Sequence, residues 1–510
     1  MAGVFSRLVN WLRGSDSRGG RRSTYDAAES QKELKEHWSA ADALSAASLN
    51  TPEVRATLRQ RARLEARNNP TAAGLLSRIA FDLIGTGPRL QLGPMGDAEP
   101  TKELTLRYRK IERAFAKWTK EICLAKKLRI LHESRLRDGE CFAVLKTTRA
   151  LKGPVKLDVC LIEADQCQSP YDRLLNDAKF VDGIEFDADG NRTKYHFLKQ
   201  HPGHNWRTSF ETEAVHAEAV IHWYRPTRPG QVRGVSEMAP VLNTLAQLRR
   251  WGIATLTNME TAAHITGVLE SDMPSDTGTA PTFETMDEVD MPRGALLTLP
   301  GGWKASSFQA NQPNQKFETA KEAYEGDIGR PFHAPFNVVA GNSSKYNYSS
   351  GRLDHLNYHS SIWVERDDLQ KDGVDRIAYA WFEEAMVTRE LGDLFVGLPP
   401  FEDWNWDWQW DGFESIDPVK DATAEELELA NNTNTLAEIC AAKGRHWEDV
   451  LAQRAREQAR MKELGLGIEP VAARIRTEPT EPKDSQDESR NREKDDAAED
   501  REDEAALAFA

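Results

Sequence analysis

The sequence predicts an α+β fold that is mainly helical, with its strands gathered in one mixed region. Three observations predict it. Apolar residues recur at spacings of three and four over two unusually long stretches, 236–264 and 350–386. Short strand-like runs concentrate between 140 and 224. Pro, Gly and Asn clusters divide the 510 residues into element-sized pieces, enough for two to four units of ~150 residues.

Residues 1–50 read as an arm. Within Met1–Arg22, an apolar patch of Phe5, Leu8, Val9, Trp11 and Leu12 is mixed with arginines. That suits a short amphipathic helix and lacks the uninterrupted apolar core of an export signal. Thr51 and Pro52 open a helical hairpin as N-cap and first helical residue. Asn68-Asn69-Pro70 breaks it, and a second helix, Thr71–Leu83, stops at Gly85-Thr86-Gly87-Pro88. Arg55, Arg59, Arg61, Arg63 and Arg67 line the first helix; a solvated face is the favoured reading and phosphate contact the rival. Glu103–Ala125 reads as one further helix, with Tyr108, Ile111, Phe115 and Trp118 on one face. Asp138-Gly139 introduces a strand, Glu140–Lys146, and further strands follow at Val155–Ile162, Gly183–Phe186 and Lys194–Leu198. Asp187–Asn191 turns the last pair into a hairpin; it shares its start with a calcium loop but lacks the later ligands, so it reads as a plain turn. Val220–Tyr224 is another strand.

Ser236 is placed as the cap of a helix reaching His264, with Pro240 tolerated in the first turn. Its stripe of Met238, Val241, Leu245, Leu248, Gly252, Leu256, Met259 and Ala263 runs about 42 Å. Asp272–Phe283 reads as loop and Gly294–Leu299 as strand. Asn311–Asn314 leads into a helix, Gln315–Ile328, with Phe317, Ala320, Tyr324 and Ile328 on one face. Gly329-Arg330-Pro331 ends it, and Phe332–Phe336 is an apolar turn. Asn337–Ser350 is rich in Gly, Ser and Asn with too few apolar residues to pack, so it reads as an exposed loop. From Ser350 a helix reaches Met386; Leu353, Leu356, Trp363, Val374, Ile377 and Trp381 share a stripe, and Gly373 marks a kink. Trp404, Trp406, Trp408 and Trp410 alternate, which puts four indoles on one face of an extended segment. A buried face is favoured there over sugar or base stacking. Thr423–Leu464 reads as two helices joined at Gly444, and the tail from Thr477 as disordered.

The composition narrows the function. Net charge is −15, of which thirteen acids against five bases place −8 beyond Thr477. About −7 therefore remains on the body, unlike a simple nucleic-acid binder. Five cysteines (Cys123, Cys141, Cys160, Cys167 and Cys440) form no C-x-x-C pair, so small buried side chains in a reducing compartment are expected. No apolar run approaches the roughly 18–20 residues of a membrane span. Walker, nucleophile-elbow and zincin patterns are missing. His355 and His359 lie four apart and could share a metal, but no acid stands where a zincin needs its base, and solvated histidines are the favoured reading. The sequence therefore assigns no catalytic residue, no metal and no cofactor. A metal nuclease finds support only in scattered acids and this pair; a scaffold or shell component is disfavoured by the strands at 140–198.

Four stretches, in order, carry a resemblance. They are Arg67-Asn-Asn-Pro-Thr-Ala-Ala-Gly74 continuing to Leu83-Ile-Gly-Thr-Gly-Pro88; Leu136-Arg-Asp-Gly-Glu-Cys-Phe142 with Leu161-Ile-Glu-Ala-Asp-Gln166; Val220-Ile-His-Trp-Tyr-Arg-Pro226 with Arg228-Pro-Gly-Gln-Val-Arg-Gly-Val-Ser236; and Asn347-Tyr-Ser-Ser350 entering the long helix. Over roughly Thr51–Gly467 the chain resembles the lambda family of phage portal proteins. The resemblance implies a portal fold in a ring, normally of twelve subunits, at one capsid vertex of the virion. It implies as partners the packaging terminase, a head–tail adaptor and the major capsid protein, with double-stranded DNA held weakly and without sequence preference. Mapped onto this chain, 51–235 and 387–422 become the wing, 236–264 and 311–336 the stem with its following turn, and 265–310 the clip. Residues 337–350 become the tunnel loop, 350–386 the kinked helix behind it, 423–467 the crown and 468–510 an acidic tail. Asn342, Ser343, Ser344, Lys345, Tyr346, Asn347 and Tyr348 are then expected at the DNA channel. Asp272, Met273, Glu284 and Asp287 are expected at the clip contact with terminase or adaptor, and Leu245, Leu248, Leu256 and Trp363 between subunits.

Elementary electrostatics fits this mapping. Each phosphate neutralised by Lys or Arg adds a salt-dependent attraction, so a conduit for duplex DNA needs few cations. The proposed loop has one, Lys345, beside Tyr346, Asn347 and Tyr348.

Overall fold

A computed structural model describes residues 36–93, 101–170, 180–204, 211–264, 268–271, 303–306, 315–399, 403–413 and 417–466. The chain separates into two units, Met1–Asp411 and Gly412–Ala510. The amphipathic segment expected at 1–22 and the tail from 477 lie outside the described residues.

A 3₁₀ turn, His37–Ala40, and one helical turn, Ala46–Leu49, precede the expected hairpin, α1 (Pro52–Asn68) and α2 (Pro70–Ile84). Thr51 and Asn69 accept hydrogen bonds from the N–H groups of Val54 (3.4 Å) and Thr71 (3.1 Å), and a proline fills each first helical position, where a missing N–H leaves no bond unmade. β1 (Arg89–Leu92) follows. The helix expected over 103–125 is α3 (Lys102–Glu121), and a further helix follows that the sequence reading left unassigned, α4 (Leu124–Asp138). Cys123 takes a left-handed φ of 55° between them, which no helix can continue through. Leu124, Leu128 and Leu131 then carry α4 into the core against α1 and α2.

Two antiparallel sheets make the mixed region. β2 (Glu140–Thr147) lies between β3 (Leu157–Glu163) and β8 (Val220–Tyr224). The second sheet runs β4 (Phe180–Val181), β5 (Ile184–Phe186), β6 (Arg192–Leu198), β7 (Thr212–His216). Phe142, Val144 and Val220 of the first meet Ile184, Tyr195 and Phe197 of the second, with Cys167 between them. The β5–β6 turn is the plain turn expected: the Asp187 carboxylate accepts from the N–H groups of Asp189 (2.9 Å) and Asn191 (2.8 Å) and from the Asn191 amide (3.0 Å).

Long helices follow. A 3₁₀ turn, Ala239–Val241, precedes α5 (Leu242–His264). Ser236 accepts from the Met238 N–H at 3.2 Å, so it closes that turn rather than capping α5, and Pro240 belongs to the turn. β9 (Val268–Ser271) pairs antiparallel with β10 (Trp303–Ser306). The loop expected at 272–283 and the strand at 294–299 lie outside the described residues. Next come α6 (Gln315–Gly329), α7 (Phe336–Ala340) and α8 (Tyr348–Leu369). A single π-helical turn, Gln370–Val374, joins α8 to α9 (Asp375–Val387). This turn is the break expected at Gly373; a Cβ there would meet Leu369 Cδ1 at 3.4 Å and β8's Ile221 at 3.7 Å.

β11 (Trp406–Gln409) pairs antiparallel with β1. Trp404, Trp408 and Trp410 are buried, and the indole N–H groups of Trp406 and Trp408 both donate to Asp375 Oδ1, at 3.0 and 2.7 Å. The alternating indoles are therefore core, not a stacking platform. The second unit holds three described helices rather than two: α10 (Pro418–Ala430), α11 (Leu436–Ala442) and α12 (Trp447–Glu463). Gly444, at φ 67°, separates the last pair as expected; the additional break precedes Thr435, which forms a capping box with Glu438.

Candidate functional site

Three arginines of the α1 row, Arg55, Arg59 and Arg63, turn inward, whereas Arg61 and Arg67 are exposed as the solvated-face reading expects. Arg55 reaches Asp182 at 3.0 Å, Arg59 reaches Asp165 at 3.1 Å, and Arg63 grips Asp138 with two bonds of 2.8 and 3.1 Å. Beneath them Glu140 is 0% exposed. It accepts from Arg233 (2.6 Å at the closest), the Gly234 N–H (2.9 Å) and His222 Nε2 (3.0 Å). Burial alone would raise the Glu140 pKa, but Arg233 and His222 more than offset it and hold it well below the carboxylate range. Burial pushes His222 down to about 4 despite Glu140. Gly139 and Gly234 let the two backbones touch: a Cβ on Gly234 would lie 2.1 Å from the Gly139 carbonyl oxygen. The Arg-Asp-Gly-Glu and Arg-Gly-Val-Ser stretches quoted above are thus halves of one buried ionic junction, which ties the β sheets to α1.

The long-helix region starts from that frame. α2 ends on Arg366 of α8, whose guanidinium donates to the carbonyls of Leu83 (2.8 Å) and Asp82 (2.9 Å). A cation there satisfies carbonyls left open at a helix C-terminus and meets the negative end of its dipole. Trp363 and Trp410 lie over the same guanidinium, at 4.8 and 5.5 Å. Trp363 therefore has an intrachain role that the sequence reading did not assign.

Residues 337–350 are not one unpacked loop. Asn337–Ala340 lie in α7, with Asn337 and Val339 buried, and Tyr348 is the first residue of α8. The loop proper is 341–347. Gly341 turns out of α7 at φ 63°, a conformation suited to glycine. The Asn342 side chain accepts from the Ser344 N–H (2.9 Å), and Asn347 caps α8 by accepting from the Ser350 N–H (2.9 Å). Tyr346 stacks on Phe336 with ring centroids 6.5 Å apart. Its hydroxyl pKa is raised by burial and by its hydrogen bond to Asp354. Lys345 pairs with Glu322 and, at 3.4 Å, with Glu318, both on α6. Its ammonium is therefore compensated within the chain, a correction to the picture of a lone loop cation.

The candidate packing residues divide. Leu245 is buried in the chain's own core, so it offers nothing to a neighbour. Leu248 is half-buried. Ile253, Leu256 and Met259 of α5 and Leu353, Leu356, Trp363 and Val364 of α8 are 41–62% exposed. On α8 the inward stripe is Tyr358, Ile362, Arg366 and Leu369, so Leu353, Leu356 and Trp363 do not share the buried face of Val374, Ile377 and Trp381. α5 and α6 pack through Trp251, whose ring lies 4.6 Å from Phe317 and 6.3 Å from Tyr324. Asp272, Met273, Glu284 and Asp287 lie outside the described residues.

Among the described residues, the remaining polar clusters are engaged with partners inside the chain. His355 is not simply solvated: its Nε2 lies 2.9 Å from the Asn337 amide, and it neighbours His359, lowered by burial and by His355. Glu163, Asp165 and His201 approach one another closely enough to share an ion. Arg63 already occupies both carboxylates, at 3.0 and 2.7 Å. His201 Nδ1 accepts from the Gly203 N–H (3.0 Å), which leaves the proton on the Nε2 that faces Glu163. A cleft of about 460 Å³ beside the π turn holds Arg192 and Arg376, but Arg192 is bonded to the Tyr224 hydroxyl (2.6 Å) and Arg376 to the carbonyls of Val220 and Ala217. The cysteines are free; Cys141, Cys167 and Cys440 are buried, whereas Cys123 is exposed, against expectation. No helix of the described residues is long and apolar enough to cross a membrane.

A profile of the family described as phage portal protein, lambda family, matches residues 32–365. A curated relative from Halomonas phage phiHAP-1, described as a probable portal protein, is 23% identical over 435 residues, covering 80% of this chain and 81% of its own. Among solved structures, the neck of an empty gene transfer agent particle covers 77% of this chain and 94% of its own, with 13% identity and a TM-score of 0.47. An HK97 family phage portal protein from Corynebacterium diphtheriae covers 71% of this chain and 96% of its own, with 10% identity and a TM-score of 0.27.

Proposed function

The chain belongs to the lambda family of phage portal proteins, and on that premise we propose that its copies close into a ring of twelve at one capsid vertex of the virion, a conduit for double-stranded DNA. The observation that carries the ring is the pair of long helices with uncovered apolar faces. Ile253, Leu256 and Met259 on α5, with Leu353, Leu356 and Val364 on α8, form exposed apolar surface that side-by-side copies would bury. In this reading 51–235 with 387–411 is the wing, α5 and α6 the stem, 265–310 the clip, 341–347 the tunnel loop, α8 and α9 the kinked helix behind it, and 423–466 the crown.

The conduit does no chemistry of its own. The loop offers DNA amides, hydroxyls and one compensated cation, which permits passage without tight, sequence-specific grip. ATP-driven work belongs to a terminase docked at the clip. A head–tail adaptor and the major capsid protein complete the partner set. Replacing 342–347 with a short Gly-Ser linker should leave rings intact and reduce DNA packaged or retained per particle, read by nuclease-protected DNA. Loss of rings in that variant would make the loop an assembly element and defeat the mapping.

A further inference from the structure

We infer that Lys345 is a masked cation, neutralised at rest by Glu318 and Glu322 of α6 and handed to a DNA phosphate by rotation of its side chain alone. The inference rests on the reading that 341–347 faces DNA.

Three observations carry it. Glu318 and Glu322 lie one helical turn apart, so both carboxylates stand on the face of α6 that Lys345 reaches. Tyr346, the very next residue, is fixed by its stack on Phe336, its bond to Asp354 and its N–H bond to the Ser343 carbonyl (3.1 Å). The backbone at Lys345 is thus held while its side chain stays free to turn. Finally, Lys345 and Glu318 are solvent-exposed and Glu322 partly so, and an ion pair in that setting is weak and screened by salt. A duplex phosphate, whose neutralisation also releases condensed counterions, is a competent rival for the ammonium. No other residue of 341–347 carries charge, so each subunit has one such switchable contact. The design gives a loop that touches the backbone briefly and lets go.

The test uses rings of the full chain and a short fluorescent duplex, titrated over a range of salt. Glu318→Gln with Glu322→Gln should tighten binding about fivefold or more at low salt and steepen its salt dependence. Lys345→Ala alone should weaken low-salt binding and flatten its salt dependence, because it removes the transferable contact and leaves Glu318 and Glu322 uncompensated. Lys345→Ala added to the two glutamine substitutions should return binding to the wild-type level. Wild-type binding by the glutamine pair overturns the inference. So does tightening that survives in the triple variant, which would report general loss of negative charge. A photocrosslinker at Ser344 in DNA-filled particles separates the two levels. Crosslinking to DNA with no effect of the glutamine pair removes the mask alone; no crosslinking to DNA removes the reading of the loop as well.

Discussion

Glu140 shows how single residues hold this fold. With no exposure and three donors, it is stable only while Arg233, His222 and the Gly234 N–H remain. Glu140→Leu should destabilise the first unit by about 3–5 kcal/mol, because it strands the buried Arg233 charge. Adding Arg233→Met should recover part of that loss, measured as urea midpoints; no recovery would mean that packing, not charge, dominates there. His222 sets a pH dependence. Its folded pKa is about 4, whereas in the unfolded chain it returns to its ordinary value near 6.5. Between these values the unfolded state takes up the proton first, so acidification favours unfolding. His132, buried beside Arg135 and lowered well below its usual value, acts in the same direction. Together they should cost at least about 2 kcal/mol between pH 7 and 5. A urea midpoint that stays flat over that interval contradicts this.

At the scale of elements, what the sequence made legible was local. Thr51-Pro52, Asn69-Pro70 and Asp187–Asn191 specify caps and a turn within a few residues, and each lies where expected. What it hid depends on distant partners. Arg55, Arg59 and Arg63 of α1 looked like part of a solvated face because Asp138, Glu140, Asp165 and Asp182 lie far along the chain. Cys123 has no marked left-handed preference, so the α3–α4 break carried no signal, although Leu124, Leu128 and Leu131 show a helical period. Val338 and Val339 were diluted by the polar residues after them, which concealed α7. For the candidate site, the loop's position was readable from composition; its compensation by Glu318 and Glu322 was not. Asn347→Ala should remove the α8 cap at a cost of about 1 kcal/mol. Hydrogen exchange should then quicken at the first turn of α8 but not at Tyr358–Leu369. Protection lost over the whole helix would show that the cap does more than hold its end.

The whole molecule is an acidic chain with apolar faces that its own first unit leaves open. Its −15 charge, −8 of it beyond Thr477, opposes tight DNA association. In the proposed ring, the exposed stripes of α5 and α8 are covered by a second copy of the same chain. Leu256→Asp with Leu353→Asp should therefore block assembly while leaving the subunit folded, since neither residue enters its core. The direct measurement is native mass spectrometry of the purified full chain beside this double variant. The account predicts a large closed ring, twelve subunits in mass, for the wild type, and a folded, lower-order species for the variant. A wild-type chain that stays monomeric at high concentration, or rings that survive both substitutions, would contradict it.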